Sequence, residues 1–259
     1  MSFKPWKQPL LAAAALAAGT TAATAQTSNT TQSLIQHERY NEARASLSKG
    51  TTPETAFELG RIYQFRDMPD SAAYYFNKSG GTTPFGQVAA GRALLAKGQI
   101  APADAQFDAA AKATKNKDAK ILTMIAQAYG ESDDVKSIDK ALTFINSAQT
   151  ANKGKDDPAL MVARGLVYLH TDQGGGEAMN SFERATTANP SYAPAYYEKG
   201  VLNIRARNFN EARTNLNKVV ELDPSYAPAY RELADMYYYA GQYDQALSSF
   251  QKFVSLSEK

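Results

Sequence analysis

His170-Thr171-Asp172 sets an imidazole, a hydroxyl and a carboxylate side by side, the side-chain types of a nucleophilic triad. Consecutive residues point in different directions, and a triad is made by spatial geometry rather than by adjacency. The only other histidine is His37, far away in sequence, and there is no cysteine. Three or four ligands at suitable spacing are needed for zinc, and thiolate chemistry and disulfides are ruled out. Gly174-Gly175-Gly176 followed by Glu177 could suggest an anion cradle, but no Gly-Lys-Ser/Thr follows, and the run reads as a plain loop. The sequons at Asn29 and Asn77 are short, common motifs, and no modification is assigned to them. The expectation is therefore a protein without catalysis, metal or cofactor.

The stronger signal is repetition. The hexapeptide SYAPAY occurs at Ser191–Tyr196 and again at Ser225–Tyr230, 34 residues on. Gly200 and Ala234 follow at equal distances, then Ala212 and Ala246, then Leu216 and Phe250. In the last copy Tyr230, Leu233, Ala234 and Tyr237 recur at helical spacing. Gly241 interrupts, and Tyr243, Ala246, Leu247, Phe250 and Phe253 resume the pattern. That is two amphipathic helices joined by a turn. Upstream, Gly60/Phe76, Gly91/Phe107 and Gly165/Phe182 fit the same frame, and Ala126, Tyr129, Ala141, Ile145 and Ala148 fit it with extra residues near Glu131–Val135. Pro53, Pro84, Pro158, Pro194 and Pro228 mark first helical turns, where the missing N–H has no intrahelical partner. Thr52, Thr83 and Asp157 stand where caps belong.

This pattern resembles the tetratricopeptide repeat, with a helix–turn–helix unit of 34 residues. The resemblance implies an all-α, right-handed α-solenoid: a degenerate half-repeat over residues 33–50, then units over about 53–80, 84–115, 119–152, 158–190, 193–224 and 227–259. One hairpin cannot bury its apolar face alone; stacked hairpins share a continuous core. The resemblance also implies that the first helices line a concave groove. On the family's pattern Phe57, Arg61, Phe65, Phe85, Arg92, Leu166, Tyr197, Arg205, Arg231, Tyr238 and Tyr239 face a partner there. Aromatic anchors with arginines are the residue types that dominate interface energies. The arginines are also candidates for a carboxylate clamp, although the asparagine and lysine positions of that clamp are not filled in consecutive units.

The first residues have a different character. Lys4 and Lys7, an uncharged run from Leu10 to Ala18, and Ala23-Thr24-Ala25 form the three parts of a secretory signal peptide over residues 1–25. Residues 26–32 are a polar linker. The apolar run is about half the roughly 20 residues needed to span a bilayer. The 28 basic and 26 acidic residues balance once the leader takes two lysines with it, so nothing favours nucleic acid or an anionic membrane. The expectation is an exported, non-catalytic scaffold of a Gram-negative envelope, in the periplasm or secreted, that binds a protein or peptide. The alternatives are a cytosolic co-chaperone-like adaptor and a self-assembling repeat protein in which the last unit forms homo-oligomers.

Overall fold

The computed structural model describes residues 34, 35, 37, 39–47, 52–132, 137–172 and 174–257. The expected leader (1–25) and polar linker (26–32) lie outside these residues, as do parts of the 33–50 segment and of the loop after Glu131. Thirteen helices and no strands are found among the described residues: α1 Tyr40–Leu47, α2 Pro53–Phe65, α3 Pro69–Lys78, α4 Pro84–Ala96, α5 Ile100–Ala113, α6 Ala119–Gly130, α7 Ile138–Ala151, α8 Pro158–Tyr168, α9 Gly175–Ala188, α10 Ala193–Arg205, α11 Phe209–Leu222, α12 Ala227–Tyr239 and α13 Tyr243–Leu256. From α2 onward they pack pairwise into six hairpins, and each hairpin packs on the next.

Local chemistry sets the helix starts. Thr52, Thr83 and Asp157 accept a hydrogen bond from the backbone N–H of Thr55, Gly86 and Leu160, with proline next in sequence. Asp118 caps α6 in the same way, from Lys120 and Ile121. In four of the hairpins the inner turn carries a left-handed residue. Gly98 and Gly241 supply it without strain, while Asp67 and Arg207 adopt it despite a Cβ (φ 54° and 59°).

Within a hairpin the small residue of the first helix meets the large one of the second. A Cβ on Gly60 would come within 2.5 Å of the Phe76 ring, and one on Gly91 or Gly165 would overlap Phe107 or Phe182. Phe107 also reaches the next unit: it rests on Gly91 of its own hairpin and lies 5.1 Å, centroid to centroid, from Tyr129 of the next.

The glycine run is less uniform than a plain loop. Gly175 and Gly176 open α9 and face empty space, whereas a Cβ on Gly174 would fall on the Tyr168 carbonyl oxygen. Glu177 faces Arg164 at 3.4 Å, a cation rather than an anion site.

The buried apolar residues form three groups. The largest runs from Phe57 to Ala195, a second joins α10, α11 and α12, and a third sets Ile35, Ala43 and Leu47 against Leu59, Ile62 and Phe65 of α2. The segment around α1 therefore covers the first hairpin.

Candidate partner-binding surface

Curvature decides which inner-face side chains see solvent. Arg61 of α2 reaches past α4 to the carboxylate of Glu131, at the end of α6 (3.5 Å). Arg92 of α4 holds the other oxygen of that carboxylate at 2.7 Å. Gln64 donates to the Glu131 main-chain oxygen at 3.1 Å and accepts from Arg92 at 3.2 Å. Glu58 faces Arg61 at 3.3 Å. The Glu131 side chain is wholly buried, and both arginines are nearly so. Burial works against the Arg61 charge, but the carboxylates of Glu131 and Glu58 more than offset it and hold its pKa up; at Arg92 burial wins and the pKa falls. Burial also raises the pKa of Glu58, against the pull of the two arginines.

Six of the eleven side chains expected to face a partner are thus occupied by the chain itself. Phe57 packs against Phe76 and Phe85, with Arg92 above it. Arg61 and Arg92 are committed to Glu131. Phe65 lies under the N-terminal segment, and Leu166 is in the main core. The Tyr197 ring packs on Tyr226, and its hydroxyl faces Glu232 at 3.4 Å. Phe85 is half-buried, and so is Arg231, whose guanidinium sits over the Phe253 ring. Arg205, Tyr238 and Tyr239 are exposed.

The exposed set lies at the C-terminal end and gains a residue that the groove assignment had omitted. Tyr238, Tyr239 and Tyr243 are 57%, 62% and 65% exposed. Tyr238 meets each of the other two edge-on at 5.8 Å. The missing signal was tertiary: Tyr243 belongs to a second helix, outside the family's groove positions, and comes to Tyr238 through the turn at Gly241. Beside them Leu247 and Val254 are also exposed on α13.

The residues first considered for chemistry are engaged in structural bonds. The Thr171 hydroxyl donates to the Tyr168 carbonyl rather than to His170, and His170 Nε2 lies 3.4 Å from the Gly130 carbonyl oxygen. His37 is paired with Asp223. Among the described residues there is no group of three or more histidine and carboxylate side chains able to hold a metal, and no helix long and apolar enough to cross a membrane.

One buried carboxylic acid stands apart. Neither oxygen of Glu198, on α10, has a hydrogen-bond partner. Burial pushes its pKa up to about 8; Arg205 opposes this weakly and Glu232 reinforces it. The folded state then binds a proton that the unfolded state releases above its ordinary pKa near 4.5, so stability falls as pH rises from about 4.5 to about 8. By pH 7 the loss is about 3 kcal/mol, at about 1.4 kcal/mol per unit of pKa difference. Glu198→Gln is expected to remove that slope. Unfolding free energies from urea titrations should exceed wild type by about 2–3 kcal/mol at pH 7 and match it near pH 4.5. Parallel curves for the two proteins between pH 5 and 8 would show that Glu198 is not held protonated.

The Tetratricopeptide repeat family model matches residues 173–227 and 197–258, the last hairpins of the chain. No curated protein matches the sequence. Among solved structures, the crystal structure of MamA is similar over 64% of this chain and 93% of its own, at 20% identity and a TM-score of 0.50. The pilF protein of Pseudomonas aeruginosa is similar over 79% and 91%, at 17% identity and a TM-score of 0.51. A chain of the APC/C hetero-tetramer Cut9-Hcn1 is similar over 87% of this chain and 45% of its own, at 16% identity and a TM-score of 0.52. These likenesses concern the fold.

Proposed function

We propose that this protein is a non-catalytic interaction scaffold, exported to the bacterial cell envelope, that holds a peptide segment of a partner protein against its C-terminal hairpins. The observation that carries this reading is the cluster of Tyr238, Tyr239 and Tyr243, more than half exposed, with the Tyr238 ring in contact with the other two. Tyrosine brings large contact area with few rotatable bonds, and its hydroxyl keeps a polar bond when the ring is covered. Arg205, exposed, and Arg231, half-buried, add guanidinium donors on α10 and α12. The tetratricopeptide match over the same hairpins supports a protein partner. The leader-like first residues support export, and N-terminal sequencing from an envelope fraction tests it: a chain starting at Gln26 supports the reading, and an intact Met1 in the cytosol ends it.

The binding test is capture from envelope extract, comparing wild type with Tyr238→Ala/Tyr239→Ala. Truncating a hot-spot aromatic costs about 2 kcal/mol or more, roughly thirtyfold in affinity. Capture should fall by at least that factor with unchanged melting, because both rings are already in water. Tyr74→Ala, which removes an equally exposed ring from α3, should bind as wild type. Equal capture by the double variant would remove the cluster as the site. Tyr197 is unsuited to this test, since its loss would report on core packing.

A further inference from the structure

The two SYAPAY copies sit in junctions of the same build but unequal chemistry. At the first, the Asn189 side-chain oxygen accepts from Ser191 N and Oγ at 3.0 and 3.2 Å. At the second, Asp223 Oδ1 accepts from Ser225 N and Oγ at 3.0 and 2.7 Å. Asparagine would satisfy that turn equally well. The carboxylate adds a second oxygen, and Oδ2 is bonded to His37 Nε2 at 2.6 Å, across 186 positions of sequence. The His37 ring also meets Tyr226 edge-on at 5.5 Å, and Tyr226 lies against Tyr197 at 5.4 Å. His37 is 5% exposed.

His37 belongs to the segment that covers the first hairpin. Its neighbour Ile35 is buried with Ala43 and Leu47 of α1 against α2, and among the described helices α1 packs on α2 alone. One side chain therefore joins the start of the solenoid to the junction between its fifth and sixth hairpins. We infer that His37 is a clasp that sets the curvature of the superhelix, holding the first hairpin to the Asp223–Tyr226 junction so that the inner face stays closed. Burial alone would raise the pKa of Asp223, but hydrogen bonds from His37 and Ser225 bring it down to about 2, as a carboxylate fixed by both partners requires. Solenoids stack through nearest neighbours only, so a contact that skips four hairpins acts on the sum of the small rotations between them. Releasing it lets the ends separate and uncovers Tyr226 and Tyr197. This goes beyond the proposed function, and it is read by distance rather than by binding, so its failure would leave the tyrosine cluster untouched.

The chain has no cysteine, so Arg44→Cys/Asn217→Cys places the only two thiols on α1 and α11, both at exposed positions. With nitroxide labels, double electron–electron resonance should give one narrow distance in the otherwise wild-type protein. His37→Phe keeps an aromatic ring against Tyr226 and removes the hydrogen bond. It is expected to raise the ratio of open to closed molecules roughly tenfold or more, seen as a second, longer distance. A helical His37→Phe protein with the wild-type distribution overturns the proposal. Should His37→Phe fail to fold, His37→Leu, which likewise has no group to hydrogen-bond Asp223, is judged by the same criterion.

Discussion

Glu131→Gln is expected to lower the melting temperature by roughly 6–20 °C, from a loss of about 3–5 kcal/mol. The substitution keeps the shape of the side chain and removes one charge. In the wild-type protein that carboxylate divides itself between Arg92 at 2.7 Å and Arg61 at 3.5 Å, and none of the three side chains is more than 5% exposed. With glutamine, two guanidinium groups remain in the interior beside Glu58, whose proton affinity is already raised by burial. Water cannot repay the missing charge there, whereas an exposed pair such as Lys218–Glu221 would lose less than about 1 kcal/mol on the same change. Differential scanning calorimetry is the direct measurement. Because hairpins can melt in groups, the low-temperature part of the transition is where the loss should show. Melting within 2 °C of wild type would mean that this network does not hold the inner face together.

Phe107→Ala is expected to cost about 3–5 kcal/mol, while Phe250→Ala, at an equivalent place in the last hairpin, costs about 1 kcal/mol. Phe107 has no exposed surface; its ring fills the space between Gly91 and Tyr129. Alanine leaves a void that flanking helices can close only partly, since Gly91 has no side chain to move into it. Phe250 is half-buried, with no following hairpin among the described residues, so part of its ring is already in water. Guanidinium denaturation of the two variants gives the comparison. Equal losses would mean that the ring is stabilised by its own hairpin alone and gains nothing from the next, contrary to the tilted ring contact of Phe107 with Tyr129.

The contrast between Phe107 and Phe250 also shows how far residue order goes. The helices were legible because their causes are local. Proline after a capping threonine or aspartate starts α2, α4 and α8, Gly98 and Gly241 turn two of the hairpins, and apolar residues at helical spacing mark the faces that pair. The hairpin was legible as well, since Gly60 with Phe76, Gly91 with Phe107 and Gly165 with Phe182 each lie within 17 residues of one another. The inner face was legible only as a face. That Arg61 and Arg92 are inward on α2 and α4 follows from periodicity; that they meet Glu131 rather than a partner does not. The same holds for His37 and Asp223. Such contacts depend on the rotation between successive hairpins, and the sum over several hairpins brings residues 39, 70 or 186 positions apart to within a hydrogen bond. The sequence by itself determined the repeat, its caps, its turns and the pairing of small with large residues, because each is settled within one turn or one hairpin. Only the tertiary structure decided which inner residues are core and which remain exposed, because that is set by the accumulated curvature of the stack and by the charges that close it.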